Sequence, residues 1–135
     1  MSLITWSGQP LVGVEEIDQQ HQKLVQLINS LHNHMLAGDA SEIIDKVLDR
    51  IIQYTGFHFE TEEKLMQAFD YPDSVAHRSE HSDLVNTALT LQQKLRNGNG
   101  HITMETMHFL QDWLQHHILG SDKKFASYLN AKGVH

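Results

Sequence analysis

The stretch "AHRSEHSDL", residues 76–84, places His77 and His81 four residues apart and sets Leu84 three residues further on. In an α-helix, a step of four residues rotates by about 40° and rises about 6 Å, so such residues share one face. The same spacing continues to Leu95 with apolar residues. The stretch therefore predicts an amphipathic helix whose buried face begins with two histidines.

Three clusters of turn-forming residues divide the chain into four long segments, each with apolar residues spaced three and four apart. The clusters are "AGDAS" at 37–41, "DYPDS" at 70–74 and "NGNG" at 97–100. Because short turns make successive helices antiparallel neighbours, we predict an all-α fold, an up-down-up-down four-helix bundle. We also predict an N-terminal arm at about residues 1–18, a short C-terminal helix and a single domain over residues 1–135.

Local signals predict where these helices begin and end. Gly38 is expected to cap the carboxyl end of the first helix. Ser41 is expected to be the N-cap of the second helix, and Thr103 that of the fourth. The third helix is expected to begin near Asp73 or Ser74.

The composition excludes several classes of protein. The chain has no cysteine, which excludes disulfides, thiolate metal sites and a cysteine nucleophile. Its net charge of -7 and the lack of a basic stripe argue against binding to nucleic acid or anionic membranes. We find no signal-peptide pattern and no apolar run of about 18 residues, so we expect a cytoplasmic protein without a membrane partner.

The chain has 11 histidines. The apolar residues spaced three and four apart form one line, or seam, along each predicted helix, and every seam contains at least one histidine near the same end of the bundle. These seam positions, one of them a glutamate, are His21, His58, Glu62, His77, His81 and His117. A single histidine on a seam is best explained as a structural residue whose ring is satisfied by one hydrogen bond. A buried group of this size would leave several polar atoms unpaired, at roughly 1–3 kcal/mol each, and a bound metal removes that cost.

Asp122 follows His117 by five residues, which in a regular helix places it about 140° away. Two interpretations remain open on spacing alone. Gly120 and Ser121 could widen one helical turn and bring Asp122 to the cluster. Alternatively, Asp122 caps the short final helix.

Seven candidate ligands exceed the four of a tetrahedral zinc site. They suit two six-coordinate cations that share carboxylates. A set rich in imidazole and free of thiolate favours iron or another mid-row transition metal.

The motifs H-x-x-x-E at 58–62, H-x-x-x-H at 77–81 and H-I-x-x-x-D at 117–122, with "IDQQH" at 17–21, resemble those of the hemerythrins. The resemblance is strongest to their single-domain bacterial members, the bacteriohemerythrins, and extends from Trp6 to about Leu129. It implies a non-haem di-iron centre that binds O2 reversibly.

By this resemblance, His77, His81 and His117 bind one iron, and His21 and His58 bind the other, which has an open position. Glu62 and Asp122 bridge the two ions together with an oxo or hydroxo group. The resemblance thus favours Asp122 as a ligand, and His117 over its neighbour His116. Leu114 and Ile118 are our prediction for the O2 pocket, with core packing as their alternative role.

The function expected is O2 transport or storage without catalysis, by a monomer. The alternative is a sensor of O2, redox state or NO, or a redox enzyme, that uses the same site. The remaining histidines are expected to be peripheral or to lie behind the ligands; they are His32, His34, His101, His108, His116 and His135.

Three other kinds of site fit the sequence less well. "HRSEH" matches a zinc-peptidase pattern, but Glu80 lies about 100° from the His77–His81 face. A ferritin-like site needs two Glu-x-x-His motifs, and only Glu105 with His108 fits. A phosphotransfer module needs an exposed histidine, not a buried group.

Overall fold

The computed structural model of the chain describes residues 12–97 and 104–135. Residues 1–11 of the predicted arm, Thr103 and His101 lie outside that range. The described part contains α1 (Glu15–Leu36), α2 (Ser41–Ala68), α3 (Ser74–Arg96), α4 (Met104–His116) and α5 (Lys123–Ala131). A six-residue π-helical segment, His117–Asp122, joins α4 to α5 and is called the π-turn below. The predicted all-α fold, a four-helix bundle with a short C-terminal helix, is confirmed.

The first helix begins within the range predicted for the arm. Val14 is still extended, and α1 starts at Glu15. The carboxylate of Asp18 turns back and accepts the backbone N–H of Val12 at 2.8 Å. Three acidic residues in the first turn complement the positive end of the helix dipole.

The first helix ends in a Schellman motif. Gly38 donates to the carbonyl of Met35 at 3.1 Å, and Asp39 donates to that of His34 at 3.1 Å. Gly38 has φ +69°, a conformation that glycine adopts without steric cost. It lies one residue beyond the C-cap, Ala37, so the predicted position was off by one.

The second helix begins one residue earlier than predicted. Ala40, not Ser41, is the N-cap, and no side chain caps this end. The third helix starts at Ser74 with Asp73 as its N-cap, as predicted.

The predicted seams form the core. Their buried members include Leu24, Ile28, Leu31, Leu48, Ile51, Ala88, Leu95, Met107, Leu110 and Leu114. The same core cluster includes Tyr71 and Phe125, whose ring centroids lie 4.7 Å apart. In the part of the chain that is described, no helix is long and apolar enough to cross a bilayer.

His32 corrects one prediction. It was expected to be peripheral, but it is 5% exposed, and neither ring nitrogen has a hydrogen-bond partner among the described residues. It follows Leu31 by one residue and Ile28 by four, and all three are buried. The buried face of α1 is therefore wider than a single seam.

Candidate metal centre

All seven sequence-predicted ligands lie together in one buried layer. Each is between 0% and 3% exposed. They come from α1, α2, α3 and the π-turn; the residues are His21, His58, Glu62, His77, His81, His117 and Asp122. The antiparallel arrangement thus brings together the seam positions that sequence spacing placed at one end.

The carboxylate of Asp122 faces two separate groups of histidines. Its Oδ2 lies 2.6 Å from His21 Nε2. Its Oδ1 lies 2.8 Å from His77 Nε2 and 3.0 Å from His117 Nε2. One side chain is therefore shared by two potential cation positions.

Glu62 lies between the same two groups. Its Oε1 is 3.1 Å from His81 Nε2 and 3.4 Å from His58 Nε2. Neither oxygen has a hydrogen-bond partner of good geometry among the described residues. His58 Nε2 has no such partner either. A buried carboxylate left in this state is costly, and a cation between these atoms would remove the cost.

The spacing of the donor atoms fits bound cations. Their oxygen and ring-nitrogen atoms form two groups, each with all members within 4.8 Å of one another. One group is Glu62, His77, His81, His117 and Asp122; the other is His21, His58, Glu62 and Asp122. His81 Nε2 and His117 Nε2 are 3.2 Å apart, close to the roughly 3 Å expected for adjacent nitrogens with metal bonds of about 2.1 Å.

The π-turn explains how Asp122 reaches the centre. An i→i+5 turn is wider than an α-helical turn, so residues five apart share a face. Asp122 is completely buried at the cluster and makes no side-chain cap on α5. Asp122 occupies the N-cap position of α5, but its side chain does not cap that helix. His116 is exposed, and its Nδ1 donates to the carbonyl of Asp112 at 2.7 Å.

The cluster is electrostatically coupled. Burial opposes ionisation of Asp122, but the positive charge of His117, the hydrogen bonds from His117 and His21, and the nearby ring of His58 at 3.8 Å hold the pKa of the carboxyl well below its usual range. Burial likewise opposes protonation of His117, yet Asp122, Glu62 and Glu80 raise its pKa well above the usual value. The layer thus stabilises positive charge beside ionised carboxylates, the same condition that favours a bound cation.

Three residues that sequence reasoning missed lie behind the ligands. Gln20 Oε1 accepts from His58 Nδ1 at 2.7 Å, and Glu63 Oε2 accepts from His81 Nδ1 at 3.0 Å. Glu80 Oε1 lies 3.8 Å from His117 Nδ1, an ion-pair contact too long for a hydrogen bond. His117 and the Ser121 hydroxyl together lower the pKa of Glu80 to about 2 against the effect of burial.

These outer contacts had no clear signal in the sequence because each joins two different helices. Gln20 precedes His21, and Glu63 follows Glu62, but adjacency alone does not predict them. Glu80 was correctly excluded from the ligand face, yet its side chain reaches the outer nitrogen of His117.

Aromatic rings pack against the ligands. Phe59 stacks on His81 with centroids 3.7 Å apart and planes 5° apart. Trp113 stacks on His117 with centroids 4.6 Å apart. A narrow cavity of about 30 Å³, lined mainly by apolar side chains, reaches His117. Leu114 lines this cavity, whereas Ile118 is buried but is not among the lining residues.

The fold and this layer define a class of protein, an all-helical bundle with a histidine- and carboxylate-lined cation site in its core. The family described as "Hemerythrin HHE cation binding domain" matches residues 12–129. The chain belongs to the hemerythrin family.

Individual relatives agree with this assignment. A bacteriohemerythrin of Methylococcus capsulatus is 37% identical over 132 residues, which cover 97% of this chain and 100% of that protein. A bacteriohemerythrin of Stenotrophomonas maltophilia is 32% identical over 97% of this chain and 84% of its own. The crystal structure of a wild-type hemerythrin superposes with a TM-score of 0.88 at 35% identity, covering 95% of this chain and 98% of that one.

Proposed function

We propose that this chain holds two iron ions in the buried layer and binds O2 reversibly, as a carrier or store and not as an enzyme. The observation that carries the proposal is Asp122, whose two oxygens face two separate histidine groups in a dry interior. Iron held by imidazole and carboxylate ligands supplies the electrons that reversible O2 binding requires. The names of the relatives, bacteriohemerythrin and hemerythrin, support the same function.

The donor set makes the two iron positions unequal. His77, His81 and His117 would hold one ion, and His21 and His58 would hold the other. Glu62 and Asp122 would be shared, together with an oxo or hydroxo group. Counting that group, the first ion would have six ligands and the second five, so the second would keep one position for a small molecule.

Apolar surroundings would restrict which molecules reach the centre. The cavity beside His117 has a volume near that of one small molecule and few polar atoms to hold water. It adjoins the three-histidine half, since neither His21 nor His58 is among its lining residues. Leu114 is proposed to line the O2 pocket. Ile118, the second residue predicted there, is proposed to act by packing behind the ligands.

The test is iron content combined with optical spectra of the reduced chain, recorded without air, after exposure to air and again under vacuum. We expect about two iron ions per chain and an absorption change that vacuum reverses. Consumption of O2 or peroxide without a stable adduct would favour the redox-enzyme alternative. One zinc ion per chain would contradict the proposal.

A further inference from the structure

The outer ring nitrogens of the ligands are held by different chemical groups in the two halves of the centre. In the three-histidine half (His77, His81 and His117), two of the outer contacts are with carboxylates. In the two-histidine half (His21 and His58), the one outer contact is with a neutral amide.

Glu63 holds His81 in place. Its Oε2 accepts from His81 Nδ1 at 3.0 Å, while its Oε1 lies 3.4 Å from Arg78 Nε. Because a carboxylate only accepts, His81 Nδ1 carries a hydrogen, which leaves Nε2 free to bind a cation. The stacked ring of Phe59 fixes the plane of the imidazole.

Glu80, on the neighbouring helix α3, faces the outer ring nitrogen of His117. The Ser121 hydroxyl donates to this carboxylate, with distances of 2.8 Å and 2.7 Å to its two oxygens. This bond ties α3 to the π-turn and keeps the negative charge 3.8 Å from His117 Nδ1. His117 Nδ1 has no hydrogen-bond partner among the described residues, so Glu80 acts on this ring through its charge, while its bond to Ser121 holds the turn.

Within the described part of the chain, no carboxylate contacts the outer ring nitrogens of the two-histidine half. His58 Nδ1 donates to the amide oxygen of Gln20. The amide nitrogen of Gln20 in turn donates to the Thr61 hydroxyl at 3.3 Å, which orients the amide. His21 Nδ1 is buried and has no hydrogen-bond partner among the described residues.

A carboxylate behind an imidazole makes its metal-facing nitrogen a stronger donor than a neutral amide does. We propose that Glu63 and Glu80 are positioning residues that make the three-histidine half the tighter cation site, so that it fills before the two-histidine half. The inference rests on the proposed function only in assuming two cation positions.

The experiment is a titration of the full-length, metal-free chain with Co²⁺, followed by visible absorption and by the exchangeable ring N–H signals in the proton NMR spectrum. His58→Ala is expected to keep the tight first step and lose the second. His77→Ala is expected to lose the tight first step. The reverse order would overturn the proposal.

Charge-neutral variants test the carboxylates directly. Glu63→Gln and Glu80→Gln should each weaken the first step by about ten- to a hundred-fold, the usual effect of removing an outer partner, and leave the second unchanged. Glu60→Gln is the matched control, since Glu60 is an exposed α2 carboxylate that forms a salt bridge with Lys64 at 2.9 Å. Denaturation midpoints verify that each variant is folded. Of the two variants, Glu80→Gln is expected to disturb packing less, because the Glu80 side chain is half-exposed.

Equal weakening of both steps, or of neither, in both folded variants would overturn the proposal. Its failure is distinguishable from that of the proposed function. Ordered Co²⁺ binding together with no reversible O2 adduct in the iron form would contradict O2 carriage and support the inference.

Discussion

At the scale of single residues, the proposed site depends most on Asp122. It is the only side chain with one oxygen within 2.8 Å of a histidine in each half, among the described residues. These contacts stabilise its completely buried carboxylate. In the proposed centre its role would be to join the two cation positions, not merely to neutralise charge.

Asp122→Asn tests this role. The amide keeps the shape but offers one oxygen in place of two, so we expect the metal content to fall from about two ions per chain to one or fewer. The measurement is elemental analysis after loading and desalting. Asp112→Asn, on an exposed carboxylate of α4, is the control. Two tightly held ions in Asp122→Asn would contradict a shared carboxylate.

Leu114 and Ile118 separate a pocket role from a packing role. Both are buried, but only Leu114 lines the cavity at His117. Leu114→Ala and Ile118→Ala should each cost about 2–5 kcal/mol in the free energy of unfolding. Only Leu114→Ala should also change the rate of O2 release, measured by stopped-flow mixing with an O2 scavenger. Equal release rates in both variants and the unmodified chain would exclude Leu114 from the pocket.

At the scale of elements, the π-turn is the least regular part of the bundle and the part on which the site depends. An added methyl at Gly120 would meet no atom within 4 Å, so the turn does not require glycine for space. The contacts that hold it are tertiary, namely Asp122 with the histidines and Ser121 with Glu80. The sequence interpretation, in which Gly120 and Ser121 widen this turn, was therefore incomplete.

Gly120→Ala follows from this account. Alanine should stabilise the chain by about 0.5–1 kcal/mol, because it restricts the unfolded backbone more than glycine does, and should leave metal binding unchanged. Chemical denaturation and metal analysis provide the measurements. If this variant lost its metal, the turn would depend on glycine and not on the surrounding contacts.

At the scale of the whole molecule, the bundle and its histidine layer could be predicted because both follow a spacing of three and four residues. His58 with Glu62 and His77 with His81 lie on regular helices, so their spacing fixed their face. Asp122 could not be placed by spacing, since the π-turn is held by residues distant in the chain. The buried face containing His32 and the outer contacts of Glu63 and Glu80 were likewise missed, because they depend on how neighbouring helices pack.

The layer is also expected to link metal binding to folding. Several buried polar atoms, including both oxygens of Glu62, lack hydrogen bonds among the described residues. Binding of cations there should therefore stabilise the fold. We expect removal of metal by a chelator to lower the thermal midpoint. We also expect His77→Ala to lower both the metal content and the midpoint of the loaded protein. An unchanged midpoint after complete removal of metal would contradict this linkage.

The most direct test of the central claim is an anomalous-scattering map of crystals of the iron-loaded chain, recorded at the iron absorption edge. We predict two peaks within about 4 Å of each other, flanked by Glu62 and Asp122, with His77, His81 and His117 around one and His21 and His58 around the other. A single peak, or iron bound away from these side chains, would contradict the account.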